Sequence, residues 1–339
     1  MTANKAIEIG DAVIRPGERV NVNLPVADLY TSTSLNMPVQ VICGKKAGPT
    51  MFVSAAVHGD ELNGVEVIRR LLKLKTLRSI RGTLLAVPIV NVHGFLDQSR
   101  YLPDRRDLNR CFPGSSKGSI AARLANLFIK EIVSKANYGI DLHTGAINRS
   151  NFPQIRANLD DPETFDMAKL FGAPVVINSN IRDGSLRECA SERGMPMLIY
   201  EAGEALRFDE TCIRGGVRGI LNVMRGIGML PKSKKSKAVE PVVARSTQWV
   251  RAVASGIVTG KAKLGSTVSE GQTLATITDP LGGEEDHIVA PFNGIVIGRS
   301  NLPLAHEGDA LFNLSSFTDV PKAGNVVETF TSNHDSEFV

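Results

Sequence analysis

Two hydrophobic patterns alternate along the first 230 residues. Short apolar runs bounded by turn residues are typical of buried strands, and apolar positions three or four residues apart are typical of helices. The predicted strands are Arg19–Leu24, Pro38–Cys43, Met51–Val57, Gly82–Val90, Tyr138–His143, Pro174–Ile177 and Met197–Tyr200. The predicted helices are Asn63–Leu74, Ser119–Ser134, Leu186–Arg193 and Glu210–Met229. This alternation predicts an α/β fold with a mostly parallel or mixed sheet flanked by helices.

The pattern changes after Met229. Val250–Leu314 contains short strand-like runs separated by glycines, which predicts a smaller all-β domain. We therefore expect a main domain at 1–230, a linker at 231–245, a β domain at 246–320 and a tail at 321–339. The β segments at 1–46 are expected to pack on the β domain. The lysine-rich start of the linker is interpreted as a solvated connection, with a patch for an anionic partner as the alternative.

The β domain resembles the lipoyl and biotinyl barrel-sandwich domains. The resemblance rests on the Glu-Gly-Gln-x-Leu stretch that starts at Glu270 and on the Ala-Pro-x-x-Gly stretch that starts at Ala290. Those domains carry a modified lysine, which the resemblance places in the hairpin Asp279–Asp286. That hairpin contains no lysine. A swinging-arm function is therefore disfavoured, and a structural or access-shaping role is left.

Composition and charge exclude several classes of function. The 339 residues are 42% hydrophobic and 22% charged, as in an ordinary globular protein. The net charge of +4 combines 39 basic with 35 acidic residues without a basic array, so we expect no nucleic-acid partner. We see no signal peptide and no apolar span of membrane length, and we expect a cytoplasmic protein without membrane contact. The four cysteines are scattered, which disfavours both a disulfide framework and a cysteine zinc site.

Candidate chemistry lies where two predicted strands end. His58 and Glu61 follow the run Met51–Val57, and His143 ends the strand Tyr138–His143. The carboxyl edge of an open α/β sheet is where ligands bind. Two histidines and a glutamate are a ligand set of catalytic zinc, which leaves the fourth position for water. The alternative is that these are solvated or hydrogen-bonded side chains with no metal.

A third motif makes the pattern specific. Asp107-Leu108-Asn109-Arg110 lies in an arginine-rich loop, Asn91–Gly118, and loops of that length tend to be functional. Together with His58-Gly59-Asp60-Glu61 and Asp141-Leu142-His143-Thr144-Gly145, it resembles the succinylglutamate desuccinylase/aspartoacylase family, a branch of the zinc carboxypeptidase fold. The resemblance covers most of residues 1–230. The β domain after it also fits this family.

The resemblance implies a role for each motif residue. His58, Glu61 and His143 would bind one Zn²⁺, and Asn109 with Arg110 would clamp a substrate carboxylate, because a guanidinium offers two parallel hydrogen bonds. Glu201, at the end of the strand Met197–Tyr200, would be the general base, with Glu204 as its competitor. Arg100 is preferred over Arg105 and Arg106 for stabilising the oxyanion. Asp141 is expected to orient a metal ligand.

These roles predict a zinc-dependent hydrolase that cleaves the amide bond of a small N-acylated amino acid. Zinc would activate a water and Glu201 would move its proton to the leaving amine. A zinc carboxypeptidase acting on peptides is the first alternative, because it shares the ligands and the clamp. A binding module with a structural or lost metal is the second. The acyl group and the amino acid stay open, and so does the question of a homo-oligomer.

Overall fold

The computed structural model describes residues 2–179, 182–232 and 240–335. The strands in these ranges are β1 (Ile7–Ile9), β2 (Ala12–Ile14), β3 (Arg19–Asp28), β4 (Ser34–Cys43), β5 (Lys46–Ala55), β6 (Arg81–Val87), β7 (Tyr138–Gly145), β8 (Arg149–Ala157), β9 (Val175–Asn178), β10 (Met197–Glu204), β11 (Val242–Ala244), β12 (Ser246–Arg251), β13 (Gly256–Gly260), β14 (Thr267–Val268), β15 (Thr273–Thr278), β16 (Asp286–Val289), β17 (Gly294–Ser300), β18 (Leu304–Ala305) and β19 (Ala310–Ser316). The α-helices are α1 (Asn63–Leu71), α2 (Val92–Leu96), α3 (Ile120–Glu131), α4 (Pro162–Phe171), α5 (Leu186–Glu192), α6 (Glu210–Gly226) and α7 (Val320–Asp335). Three short 3-10 helices are Lys75–Ser79, Leu108–Arg110 and Val133–Lys135.

Four parallel strands form the centre of the main sheet, in the order β10-β7-β5-β6. Antiparallel strands extend it on both sides: β4 and β3 follow β6, and β8 follows β10. β9 runs parallel to the second half of β8. The sheet is therefore mixed, and the parallel strands at its centre bring their carboxyl ends to one edge.

Helices cover both faces of this sheet because the strand side chains alternate between two apolar cores. Met51 and Val53 of β5 pack in a core with α1, α4 and α6, whereas Phe52 packs on the other face with α3 and α5. Phe52 meets Phe128 of α3 edge to face, with ring centroids 5.8 Å apart. The predicted α/β fold class is confirmed.

The C-terminal strands build the smaller β domain from two layers. One layer, β12-β19-β17 with β14, joins the main sheet because β17 pairs with the first half of β8. The other layer is the four-stranded sheet β16-β15-β13-β18. Side chains from both layers, such as Leu274, Ile277, Val296 and Phe312, share one apolar core. This arrangement is the predicted C-terminal all-β sandwich.

Some sequence predictions were wrong or incomplete. The segments at 1–46 do not pack on the β domain, because β3 and β4 pair at the opposite end of the sheet, beside β6. β8 and α4 were missed, and the expected tail contains α7, which packs against α6 and β17 through apolar side chains. The long loop contains α2 and a 3-10 turn. Residues 233–239 of the expected linker lie outside the described residues.

In the part of the chain that the structure describes, no helix is both long enough and apolar enough to cross a membrane.

Candidate active site

Three neighbouring parallel strands carry the candidate residues to one edge of the sheet. His58 lies three residues after the end of β5, and His143 and Glu201 lie on β7 and β10. The register pairs Glu201 directly with His143. Because adjacent strands are about 4.8 Å apart, this pairing places both side chains in one site.

A tight turn after β5 brings Glu61 back beside His58. Ala56 adopts a left-handed backbone with φ of 50°, and the Glu61 amide donates to the His58 carbonyl at 3.1 Å. Gly59 packs so closely on α2 that a Cβ there would lie 2.0 Å from the carbonyl carbon of Gly94. Only glycine fits this contact, which explains the glycine that follows the histidine.

The structure brings His58, Glu61 and His143 together as a buried cluster. The two carboxylate oxygens of Glu61 lie 2.7 Å from His58 Nδ1 and 2.7 Å from His143 Nδ1. One potential ligand atom from each residue falls within 4.8 Å of the others. The Thr144 amide also donates to Glu61 Oε2 at 3.1 Å, which fixes the carboxylate.

Two further carboxylates hold the opposite ring nitrogens. His143 Nε2 donates to Asp141 Oδ2 at 2.7 Å, and His58 Nε2 donates to Asp107 Oδ1 at 3.2 Å. Asp141 is itself fixed by the Ser54 hydroxyl at 2.7 Å. A carboxylate behind each histidine is the usual arrangement around a metal ligand, because it fixes the ring and its tautomer. The donor set therefore fits a divalent cation such as zinc.

Charge compensation keeps this buried cluster ionised. Burial lowers the pKa of His143, but the Asp141 and Glu61 carboxylates outweigh burial and raise that pKa well above its ordinary value. Burial raises the pKa of Glu61, but the two histidines outweigh it and lower that pKa strongly. The contacts of His58 Nδ1 and His143 Nδ1 with Glu61 are therefore hydrogen bonds in which each Nδ1 carries a proton. A divalent cation can replace those protons, since neutral imidazole and carboxylate are its usual ligands.

The loop residues surround the cluster. Arg100 donates from Nη2 to Asp107 at 2.9 Å, and its Nη1 lies 3.5 Å from Glu61 Oε1. Arg100 lines the cavity, whereas Arg105 and Arg106 are exposed and are not among its described lining residues. Asn109 and Arg110 both line it. The side-chain oxygen Oδ1 of Asn109 accepts a hydrogen bond from the Leu186 amide at 2.9 Å, which connects this loop to α5.

The two candidate glutamates of β10 face different surroundings. Glu201 lines the cavity and accepts a hydrogen bond from Asn151 Nδ2 at 2.9 Å. Glu204 accepts from the Asn148 amide at 2.9 Å and from Asn301 Nδ2 at 2.8 Å, outside the cavity. Of the two glutamates, Glu201 is therefore the one whose side chain lines the cavity.

The cavity has a volume of about 130 Å³ and contains residues that sequence reasoning missed. Three of them are arginines that line the cavity: Arg156, Arg182 and Arg187. Two others lie nearby, where Asp107 orients His58 and Asn151 orients Glu201. Asp107 could have been found, because it belongs to the Asp-Leu-Asn-Arg motif. The three arginines carry no local motif, and only the fold brings them to the site.

Comparison with known proteins agrees with this geometry. Residues 47–227, more than half of the chain, match the succinylglutamate desuccinylase/aspartoacylase catalytic domain. The chain is 26% identical over 270 residues to the N-alpha-acetyl-L-2,4-diaminobutyric acid deacetylase of Halomonas elongata, and the match covers 76% of this chain and 79% of that protein.

Two solved structures share the fold. The product-bound ectoine utilization protein EutE (DoeB) from Ruegeria pomeroyi superposes with a TM-score of 0.80 and 24% identity, covering 93% of this chain and 99% of that one. The succinylglutamate desuccinylase/aspartoacylase from Rhodobacter sphaeroides gives a TM-score of 0.79 and 24% identity, covering 92% and 98%. Because the match at residues 47–227 covers more than half of the chain, the chain belongs to the succinylglutamate desuccinylase/aspartoacylase family.

Proposed function

We propose that this protein is a zinc-dependent hydrolase that removes the acyl group from a small N-acyl amino acid. One observation carries the proposal. The buried His58–Glu61–His143 cluster, the carboxylate of Glu201 and the Asn109–Arg110 pair all face one cavity at the carboxyl edge of the sheet. These parts are a metal site, a base and a carboxylate clamp, which together suit amide hydrolysis.

Each residue has a stated task. Zinc, when bound by His58, Glu61 and His143, would supply a Lewis acid and a water of lowered pKa, near 7. Glu201 takes a proton from the attacking water and delivers it to the leaving amine nitrogen. Asn151 holds the Glu201 carboxylate through its 2.9 Å hydrogen bond. Arg100 is the guanidinium that lies closest to Glu61 and can stabilise the developing oxyanion.

The substrate class follows from the clamp and the cavity size. Asn109 and Arg110 line the cavity and can bind a carboxylate with charge-assisted hydrogen bonds. The volume of about 130 Å³ suits a small acylated amino acid better than an extended peptide. The deacetylase relative, which acts on N-acetylated diaminobutyric acid by its name, supports an N-acyl amino acid as the substrate.

A zinc carboxypeptidase is the second candidate, because the same ligands and clamp serve both reactions. Amine release from N-acetyl amino acids should be compared with release from dipeptides of the same C-terminal residue, using the zinc-loaded protein. We expect the N-acetyl amino acids to be cleaved faster. Faster cleavage of the dipeptides would replace the deacylase by the peptidase.

Location and assembly remain proposals. We propose a cytoplasmic enzyme that acts on free small molecules, which cell fractionation with an antibody to the protein can test. Light scattering of the purified protein would decide whether it forms a homo-oligomer.

A further inference from the structure

The first residues of β8 lie between the active site and the β domain. On one side they pair with β10, where Asn151 lies opposite Gly203, and on the other side they pair with β17, where Asn151 lies opposite Gly298. Asn151 also donates from Nδ2 to Glu201 Oε2 at 2.9 Å. The residue that orients the proposed base is therefore paired directly with a strand of the β domain.

Ser150 and Asn151 contact the two glutamates of β10 with side chains that point to opposite faces of the sheet, because successive side chains of a strand alternate. Asn151 donates to Glu201, which lines the cavity. The Ser150 hydroxyl donates to Glu204 Oε2 at 3.3 Å, outside the cavity. One peptide unit joins the two contacts, so whatever fixes Ser150 on Glu204 also limits where Asn151 can hold Glu201.

Asn301 of the β domain completes the contact between Ser150 and Glu204. Its Nδ2 donates to Glu204 Oε2 at 2.8 Å and to the Ser150 hydroxyl oxygen at 2.7 Å. Its backbone amide donates to the Asn148 carbonyl at 2.8 Å, and the Asn148 amide donates to the other oxygen of Glu204 at 2.9 Å. Asn301 and Glu204 therefore hold the turn before β8 and the start of β8 together.

Two further residues of the β domain contact the same stretch. The guanidinium of Arg149 lies over the ring of Trp249 on β12, 5.3 Å from the ring centroid, which is a cation–π contact. A Cβ at Gly298 would lie 3.2 Å from Asn151 Oδ1, closer than side-chain atoms normally approach, so glycine leaves Asn151 in place. The β domain thus contacts each of the first three residues of β8.

We infer that the β domain positions the proposed general base. Asn301 and Gly298 are positioning residues, which act through Asn151 on the carboxylate of Glu201 and are not among the described lining residues of the cavity. The inference rests on the proposed deacylase function and gives the β domain a task in turnover. A base must lie within hydrogen-bond reach of its proton, and a misplacement of about 1 Å can cost about 100-fold in rate.

Two substitutions disturb Asn151 from the side of the β domain. Gly298→Ala places a Cβ against Asn151 Oδ1, and Asn301→Ala removes the donor that Glu204 and Ser150 share. With the zinc-loaded protein and an N-acetyl amino acid, each should lower kcat by about 10-fold, while KM and zinc content stay at their wild-type values. Asn301 is exposed, so Asn301→Ala should fold even if Gly298→Ala does not. An unchanged kcat, or a loss that lies only in KM, would overturn the inference.

Matched controls change the β domain at positions that do not pair with β8. Gly260→Ala adds a Cβ at an exposed glycine of β13, where the nearest atom is the end of the Arg299 side chain at 3.4 Å. Asn293→Ala removes a side chain that accepts from the Glu270 amide at 2.8 Å. Both variants should keep the wild-type kcat. An equal fall of kcat in these controls would mean that any change in the β domain lowers turnover, and the positioning role would be wrong.

An exchange of donor and acceptor tests the Asn301–Glu204 pair itself. Asn301→Asp replaces the donor by a second carboxylate beside Glu204, and because like charges repel, kcat should fall at least as far as in Asn301→Ala. Adding Glu204→Gln returns a donor to the pair, now on β10, and should restore kcat to near the wild-type value. A double variant as slow as Asn301→Asp alone would contradict the role of this pair.

A second pair of variants tests whether the effect passes through Glu201. In the Glu201→Gln protein the proposed base is already lost, so adding Asn301→Ala should lower the residual turnover little further, because residues that act as a unit are not additive. The full loss of about 10-fold in both backgrounds would mean that Asn301 acts on turnover by another route, and the inference would be wrong.

Crystal structures keep this inference apart from the proposed function, because they require no turnover. The distance from Asn151 Nδ2 to Glu201 Oε2 should lengthen beyond about 3.5 Å in Asn301→Ala and Gly298→Ala and stay short in Gly260→Ala. If the wild type hydrolyses no N-acyl amino acid yet this distance lengthens as expected, the deacylase proposal fails and the positioning of Glu201 stands. If the distance is unchanged in both variants, the inference is wrong, whatever the activity.

Discussion

The two ends of the cavity differ in how their charges are compensated. At the metal end, Glu61, Asp107 and Asp141 face the four ring nitrogens of His58 and His143 at 2.7 to 3.2 Å. At the arginine end, the cations of Arg156, Arg182 and Arg187 lie together, and Glu201 is the cavity carboxylate whose charge acts on Arg187. At the metal end each ring nitrogen has a carboxylate of the protein beside it. The arginine end brings three cations together near one cavity carboxylate, Glu201.

Under the proposed function, the metal end cleaves the bond and the arginine end faces another part of the substrate. The proposed ligands of the metal end lie within the residues that match the family's catalytic domain, so under the proposed function the same bond-breaking chemistry can serve many substrates. The arginines come from β8, α5 and the segment before it, which no motif describes. The two ends therefore make different predictions when single side chains are changed.

The largest effect is expected from emptying the metal end. His143→Ala removes one of three ligands, so the variant should lose most of the roughly one zinc per chain and its hydrolytic activity; His58→Ala should do the same. His287→Ala, which removes an exposed histidine of the β domain, is the matched control and should retain both. Metal analysis of the purified variants measures the outcome. Undiminished zinc in His143→Ala would contradict the assigned ligands.

Changing Glu201 tests its proposed role as the general base. Glu201→Gln should keep zinc and substrate affinity while turnover falls by about 10²–10⁴, the usual share of general acid–base catalysis. Glu204→Gln changes a carboxylate outside the cavity and should keep near-normal turnover. Steady-state kinetics on both variants measure this contrast. Normal turnover in Glu201→Gln with a dead Glu204→Gln would mean that the base is misassigned.

Changing Arg110 tests whether this residue binds a carboxylate of the substrate. Arg110→Ala should cost on the order of 2–4 kcal/mol in transition-state free energy for substrates with a free α-carboxylate, because a charge-assisted pair is lost. The same substrates with an amidated carboxylate should lose much less. Arg106→Ala, an exposed arginine of the same loop, is the control. Equal losses on free and amidated substrates would argue against the clamp.

The smallest effect on turnover is expected from changing the two carboxylates, Asp141 and Asp107, that contact the Nε2 atoms of the histidines. Asp141→Asn weakens the contact to His143 Nε2, and Asp107→Asn weakens the contact to His58 Nε2. Each should lower zinc affinity by about 10- to 100-fold, while turnover at saturating zinc changes less. Competition with a fluorescent chelator measures the affinity. If both variants bind zinc as tightly as the wild type, the carboxylates do not orient the ligands.

The metal end could be predicted because its signals are local. Strand-end motifs mark His58, Glu61 and His143, and parallel strands bring such ends to one edge. The family resemblance added Glu201 and Asn109–Arg110, which the structure brings to the same cavity. The main sheet was also largely predictable, because β5, β7 and β10 are short apolar runs.

The position of Arg156 at the arginine end could not be predicted because this residue lies on β8. Arg149–Ala157 contains Pro153 and two arginines, so it lacks the pattern of a buried strand. Pro153 lies where β8 changes its partner from β17 to β9. α4 was missed although the sequence carries a signal for its start. Asp161 caps the helix and Pro162 is its first residue.

The central claim is that bound zinc and a small N-acyl amino acid meet in this cavity, and metal removal and return test it most directly. Amine release from N-acetyl-L-glutamate should be measured before chelation, after chelation and after titration with zinc. We predict that chelation abolishes hydrolysis and that about one zinc per chain restores it in the wild type but not in His143→Ala. Hydrolysis that persists in the metal-free protein, or that zinc restores equally in His143→Ala, would contradict the account.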